Sequence, residues 1–393
     1  MTELPPLDPH DDDAPLRGIR VLEVAGELNG YAGRLLADLG ADVGLVHLSP
    51  RAAVVGFDAE SWFLHRGKSE VWLDASSVDG RAGLARLVSE ADVILQSGGA
   101  DAPPAPVELD PAVVRAGNPR AVQAILTPFG LEGSAAGYAS TDLVRLAAGG
   151  LLWLGGYPDA EPVAPFGGQS TIATAIYGAV AVLLALIARE RSGEGDTIEV
   201  SSQEVLTQAL ETSIPEFELL GKVRRRLGDT PREAGTGVFA CSDGFVSMVA
   251  GRLGTAGAWK RLTEWLREEG APGADELTRD GWDTLPFRQQ PDSIARFSEI
   301  FCGFAAARTK ADLHREAQER SIALAPVNDL GDLLLDRQLA FRGFFRETVD
   351  ERTRTAALVT APPFRLSAPA DQPAETAGEP VLSPTAGIVR RPV

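Results

Sequence analysis

Residues 17–47 read RGIRVLEVAGELNGYAGRLLADLGADVGLVH. Ile19 to Val24 is an apolar run of strand length. A glycine-bearing turn with Gly26 and Gly30 follows it. Ala32 to Leu39 then sets apolar residues at helical spacing, and Gly40 supplies a stop. Val43 to His47 is a second apolar strand. Strand, helix and strand in so short a stretch make a βαβ unit. Such a unit implies parallel strands, because the helix carries the chain back to the same end of the sheet.

The alternation continues outward. Glu70–Leu73, Asp92–Leu95 and Ala121–Leu126 read as strands, with a helix at Arg81–Glu90. Residues 17–127 therefore predict a doubly wound, Rossmann-like α/β domain. A long helix at 172–189, a strand at Thr197–Val200 and a helix from Gln203 extend it. We expect a disordered lead-in at 1–16, a large domain at 17–212 and a polar, Gly/Arg-rich linker at 213–236. A smaller α+β domain is expected at 237–330, then a return to the large domain with a Pro/Ala/Thr-rich tail at 331–393. The small domain opens on strands Gly237–Phe239 and Phe245–Ala250 around a Ser-Asp-Gly turn. Residues 255–345 read as mostly helical.

The chain has 393 residues, enough for two or three domains. Its net charge is −18, which excludes nucleic acid and anionic membrane as partners unless a basic patch exists. Arg224-Arg225-Arg226 is the densest candidate and reads as a solvated turn. Cys241 and Cys302 lie in different regions, against a disulfide framework or a zinc ribbon and in favour of a reducing, cytoplasmic setting. The opening MTELPPLDPHDDDAP lacks the basic and apolar segments of a signal peptide. Ile172 to Ala188 carries no charge over 17 residues, close to the minimum for a membrane span. Its Ala/Gly richness and the Arg189-Glu190-Arg191 that follows favour a buried core helix.

The first turn departs from the dinucleotide-binding fingerprint. Gly26, Gly30 and Gly33 lack the first tight pair, and His47 stands where an acid should take the ribose. Glycines that let a helix approach a sheet are the expected reading. The histidines are His10, His47, His65 and His314, with no H-x3-H and no Cys/His cluster, so no metal site is expected. His65 precedes Arg66-Gly67-Lys68, a basic turn able to touch phosphates. There is no G-x-S-x-G elbow and no P-loop.

Several ordered blocks then resemble one family. They are GRLLADLGADV at Gly33–Val43, HRGKSEVWLD at His65–Asp74 and NPRAVQAILTPFGLEGSAAGYASTDLV at Asn118–Val144. ARERSGEGDTIEVSSQE at Ala188–Glu204, GVFACSDGFVSM at Gly237–Met248 and APVNDLGDLLLDRQLAFRGFF at Ala325–Phe345 complete the series. Together they resemble the family III CoA-transferases, the CaiB/BaiF group. The resemblance implies a Rossmann-like large domain, a smaller α+β domain and an interlocked dimer, with coenzyme A along the large domain.

Members of that family transfer CoA through an aspartate. Its carboxylate attacks an acyl-CoA thioester to give a mixed anhydride and CoA thiolate, and an acceptor acid then exchanges in. The resemblance places that aspartate six residues before Tyr177, where this chain has Thr171, flanked by Gln169 and Ser170. Asp159 and Glu161 lie nearby, in a loop. Thr141 stands where the racemase branch of the family has a histidine. The resemblance places CoA contacts on Glu27 and Leu28, Arg51, Arg66, Lys68 and Leu73, and Ser97 and Gly98. Several family signatures are altered there: Leu28-Asn29-Gly30 replaces Ala-Gly-Pro, and Ser97-Gly98-Gly99 replaces an Asn-Phe-Arg loop. No metal is implied. We expect a subunit of acyl-CoA metabolism that pairs, as homo- or heterodimer, with a family member and lacks its own nucleophile. One alternative is an active acyl-CoA enzyme, using a displaced acid or running lyase, hydrolase or cyclase chemistry with Gln169, Ser170 and Thr171 on a thioester oxyanion. Another is a binding or regulatory protein.

Overall fold

A computed structural model describes residues 14–48, 59–100, 102, 104–228, 231–251, 257–350 and 354–364. The chain divides into two compact units, with boundaries at Gly155/Gly156, Glu161/Pro162, Arg225/Arg226 and Leu335/Asp336.

The first unit is built on six parallel strands: β1 Arg20–Val24, β2 Asp42–His47, β3 Lys68–Trp72, β4 Val93–Ser97, β5 Val122–Thr127 and β6 Thr197–Ser201. Their order across the sheet is β3-β2-β1-β4-β5-β6. β1 and β4 are neighbours, so the winding reverses between them, and a crevice opens at the carboxyl ends of these two strands. The helices are α1 Gly30–Asp38, α2 Ala59–His65, α3 Val78–Glu90, α4 Pro111–Gly117, α5 Asp142–Ala148, α6 Gln169–Ser192, α7 Ser202–Gln208 and α8 Ser213–Leu220.

Both faces of the sheet are covered. Leu36, Ala175, Ala179 and Val182 of α1 and α6 join Val43, Leu95 and Leu126 in one core. Leu84, Val88 and Val114 of α3 and α4 join Leu22, Val46 and Ile94 in the other. β5 is consequently buried at every position, which is why it reads as a mostly apolar run rather than an alternation; its buried Gln123 is paired, donating to the Leu109 carbonyl. Each such fully buried aliphatic side chain contributes about 1.5–3 kcal/mol of transfer free energy. Two glycines set the helix–sheet distance. A Cβ on Gly33 would lie 1.7 Å from the Glu23 carboxylate, and one on Gly178 would lie 3.0 Å from Leu126. Of the first-turn glycines, Gly33 is therefore explained by packing, as is Gly26, whose Cβ would lie 2.5 Å from the Ser97 hydroxyl; Gly30 has room for a side chain.

α6 is longer than the expected 172–189. It ends on Gly193, whose φ of 76° is the left-handed cap that favours glycine. Among the described residues it is the one helix long and apolar enough to cross a membrane by length and composition. The sequence reading made it a buried core helix, and the structure corrects that: only one face is buried. Ile172, Ile176, Tyr177, Val180, Leu184 and Ile187 are exposed, Leu184 at 61% and Ile187 at 58%. The all-round apolar composition hid this sidedness, because both faces read alike.

The segment read as a linker at 213–236 contains α8. The second unit carries an antiparallel sheet of β7 Thr236–Cys241, β8 Gly244–Val249 and β9 Ala323–Pro326, in that order. β9 falls in a stretch read as helical. Helices α9 Ala258–Glu268, α10 Leu285–Arg288, α11 Pro291–Ala305 and α12 Lys310–Glu319 accompany it. Its core is aromatic: Trp265, Phe297 and Phe301 are fully buried, and Phe239 meets both phenylalanines edge-on. An antiparallel hairpin, β10 Phe345–Asp350 with β11 Thr355–Thr360, belongs with the first unit.

Candidate functional site

A cleft of about 320 Å³ lies at the carboxyl ends of β1, β2 and β4. Its wall includes Gly26, Glu27 and Leu28 after β1, His47 and Leu48 at the end of β2, and Ser97 and Gly98 after β4. The loop after β1 is tied to β4. The Ser97 hydroxyl donates to Asn29 Oδ1 at 2.6 Å and accepts from the Leu28 N–H at 3.0 Å, while Asn29 Nδ2 donates to the Val24 carbonyl. Leu28 is itself buried, so the loop presents Glu27 outward from a fixed base.

Arg145, on α5, also lines the cleft and organises what lies beside it. The residue is fully buried, at 0% exposure. Its Nε donates to the Ser170 hydroxyl at 2.9 Å and its Nη1 to the Ser140 hydroxyl at 3.1 Å. Its Nη2 donates to Glu27 Oε1 at 2.5 Å and to the Thr171 hydroxyl at 2.9 Å. Thr171 in turn donates to the same Glu27 oxygen at 3.3 Å. Asp142 Oδ1 accepts both the Ser170 hydroxyl, at 2.6 Å, and the Ser170 N–H, at 2.8 Å. That carboxylate sits on the first turn of α6, where it compensates N–H groups that lack helical partners. A buried guanidinium needs this many acceptors, because an unpaired buried charge costs several kcal/mol.

The structure thus brings Ser170, Thr171 and Glu27 together through Arg145. It does not bring in Gln169, whose amide turns back to the Phe166 carbonyl at 2.9 Å. Thr141 is the N-cap of α5, its hydroxyl accepting from the Val144 N–H. Of the residues assigned to CoA, Glu27, Leu28, Ser97 and Gly98 line the cleft. Lys68 does not: its side chain is fully buried, 2.7 Å from the Glu23 carboxylate, and donates to the Gly30 carbonyl at 2.8 Å. Arg66 reaches the Thr360 carbonyl of β11. Leu73 packs with the core beneath α3. The basic turn at 66–68 is therefore spent on holding the fold rather than on the cleft wall. Arg51 lies outside the described residues.

The electrostatics of this buried charge are distinctive. Burial outweighs the attraction of Lys68 and pushes the Glu23 carboxyl up to about 7. Burial pushes the Lys68 ammonium down, against the pull of Glu23. Burial likewise pushes Arg66 down to about 10, with the neighbouring Arg34 adding to the effect.

Sequence reasoning missed Arg145 and Asp142. The one signal was local: Asp142 and Arg145 share the first turn of a helix next to Thr141. Nothing in the sequence says that this turn meets residue 27.

The model of CoA-transferase family III matches residues 16–382. The chain is similar to the succinyl-CoA:(R)-benzylsuccinate CoA-transferase subunit BbsE of Thauera aromatica, 30% identical over 345 residues, covering 83% of this chain and 82% of that one. It is similar to the succinate–glutarate CoA-transferase of Agrobacterium fabrum, 28% identical over 396 residues and 94% of each chain. Among solved structures it resembles a CAIB/BAIF family protein from Brucella suis, with a TM-score of 0.73 and 26% identity over 90% of this chain and 93% of that one.

Proposed function

This chain belongs to CoA-transferase family III, and on that premise we propose that it is a non-catalytic subunit acting on acyl-CoA thioesters beside a family member that carries the aspartate. The observation that carries this reading is the first turn of α6. At the position of the family nucleophile stands Thr171, its hydroxyl held between Arg145 and Glu27. A threonine hydroxyl needs an adjacent strong base to attack a thioester. Glu27 is the group next to it, and that oxygen already accepts from Arg145. An acyl-threonine ester is also too stable for a carboxylate acceptor to displace.

In the complex, the partner's aspartate takes the acyl group from the thioester as a mixed anhydride and releases CoA thiolate. The acceptor carboxylate then displaces the donor acid to form a new anhydride with that aspartate, and the CoA thiolate attacks its acceptor carbonyl, giving the new thioester and freeing the aspartate. This chain contributes its cleft and the outward face of α6. The apolar stripe from Ile172 to Ile187 supports a partner there, since an exposed contiguous apolar patch marks an interaction surface. BbsE is named as a subunit, in keeping with a multi-chain enzyme. Cys241 and Cys302 are free thiols, which fits a reducing cytoplasmic setting.

A second reading has one specific observation in its favour. Glu27 is 57% exposed at the cleft, and its carboxylate reaches the place of the missing acid. There it would act as the displaced nucleophile, forming the anhydride itself.

Native mass spectrometry of the untagged protein from its own host separates the two. A heteromer with an aspartate-bearing family member supports the subunit reading. In that complex the hydroxylamine-sensitive adduct forms on the partner's aspartate and not on Glu27. A homodimer that transfers CoA, forms a hydroxylamine-sensitive adduct on Glu27 and loses activity in Glu27→Gln overturns it in favour of the second reading.

A further inference from the structure

A second polar cluster, toward the β3 edge of the sheet, is made of residues outside the Arg145 web. His47 ends β2, Glu70 lies on β3 and His65 closes α2. His47 Nε2 lies 3.1 Å from Glu70 Oε2, and His65 Nδ1 lies 3.7 Å from Glu70 Oε1. One ligand atom from each of the three residues falls within 4.8 Å of the others. The geometry points to a site for one borderline divalent cation of the Zn²⁺ type, held by His47, His65 and Glu70.

The donor set carries the choice of ion. Two imidazoles and one carboxylate suit zinc, cobalt or nickel, whereas magnesium and calcium ask for oxygen ligands throughout. With metal–ligand bonds of about 2.0–2.2 Å, neighbouring ligands of a tetrahedral ion stand roughly 3.3 Å apart. The two separations, each to a different oxygen of the Glu70 carboxylate, lie on either side of that value.

The placement is held by structure. β2 and β3 pair in parallel, with Leu45 opposite Glu70 and His47 opposite Trp72. His47 is thus the diagonal neighbour of Glu70 on the same face. The His47 ring lies flat on Trp72, with centroids 4.7 Å apart and planes 10° apart, and the His65 ring stands at an angle to it at 5.9 Å. Lys68, the nearby cation on β3, is committed to Glu23 and the Gly30 carbonyl and does not compete for Glu70. Three protein ligands leave a fourth position open, the arrangement of zinc sites that take an exogenous ligand. His47 also lines the cleft, so the ion lies at the cleft wall. Its open position is available to an anionic oxygen there.

These three residues come from separate elements 23 positions apart at most. No short motif joins them, which is why no metal signature is visible in the sequence.

The test uses the full-length, untagged protein, stripped with a chelator and titrated with Zn²⁺ alone by calorimetry and with Co²⁺ alone by visible absorption. The expected result is one ion per chain and a Co²⁺ spectrum of low-symmetry, nitrogen/oxygen coordination. His47→Ala, His65→Ala and Glu70→Gln each weaken binding at least about tenfold. His314→Ala, which leaves the site untouched, binds as the parent does. Thermal melts without metal show whether each variant is folded, and only folded variants are compared. Absence of saturable binding by the parent overturns the site. So does binding that survives all three substitutions, or binding that His314→Ala abolishes.

Discussion

The web beneath the cleft and the outward face of α6 treat polarity in opposite ways. Around Arg145 each nitrogen of a buried guanidinium donates to a hydroxyl or carboxylate from the loop before α5, the first turn of α6 or the β1 loop. A few residues along α6, large apolar side chains from Ile172 to Ile187 stand exposed. The first region is complete within one chain. The second is unfinished, and it spends apolar area in water that a partner surface would cover. On the proposed reading, the stripe serves association and the web serves the fold around Thr171.

The largest effect comes from breaking the web. Arg145→Met keeps the length of the side chain and removes the charge. It strips the acceptors Ser170, Ser140 and Thr171 of their donor and leaves Glu27 without its ion pair. Leaving buried hydroxyl acceptors without a donor costs about 1–3 kcal/mol, while Glu27, half exposed, is rehydrated. Chemical denaturation should show a drop of that order. A change under about 1 kcal/mol would mean that the web is looser than its distances suggest.

The stripe is tested by charge. Tyr177→Glu with Leu184→Glu places two carboxylates on an exposed face, so the isolated chain should lose no more than about 0.5 kcal/mol per site. Association with the partner subunit should disappear, read as mass by native spectrometry. Retained assembly would move the interface elsewhere and leave the exposed face with no part in association.

A third measurement asks whether the buried pair next to the web behaves as the web does. The Glu23 carboxyl is raised in the folded state from 4.5 to about 7. The folded chain therefore holds a proton that the unfolded chain has released between those values. Its contribution to stability is fully present below about pH 4.5 and is lost as pH rises toward 7. Glu23→Gln should remove this slope and lower stability above about pH 7, where Lys68 loses its counter-charge. An unchanged slope between pH 5 and 7 in the variant would assign it to another group.

Much of the fold is legible in the sequence, and the reasons are local. The βαβ unit at 17–47, the mostly apolar run of β5 and the uncharged middle of α6 each carry their own periodicity or composition. What stayed hidden depends on contacts across the chain. Ser213–Leu220 read as part of a linker because its exposed apolar residues are hard to tell from a loop's. Phe345–Asp350 and Thr355–Thr360 pair only with each other, so neither had a face that repeated clearly. At the site, Thr171 and Ser170 were legible as positions. Arg145 was not, since its partners at 27, 140, 170 and 171 converge only in space. Arg66 and Lys68 were misread for the same reason. A basic turn looks alike whether it faces a phosphate or, as in this chain, a buried carboxylate and a strand carbonyl.

The smallest effect is the most discriminating. Thr171→Val is nearly isosteric and removes only the hydroxyl that links Arg145 to Glu27. Arg145 keeps Glu27, Ser140 and Ser170, and of the two hydrogen bonds lost the one to exposed Glu27 is long, at 3.3 Å, so the loss should be about 1 kcal/mol. If Thr171 is a structural member of the web, CoA transfer by the assembled complex should stay within about twofold of the parent. If the hydroxyl stabilises a thioester oxyanion, its removal should cost about 100-fold in kcat at unchanged stability. The two outcomes differ by far more than the error of either assay. They decide whether the polar first turn of α6 serves the fold, as its complete pairing argues, or the reaction.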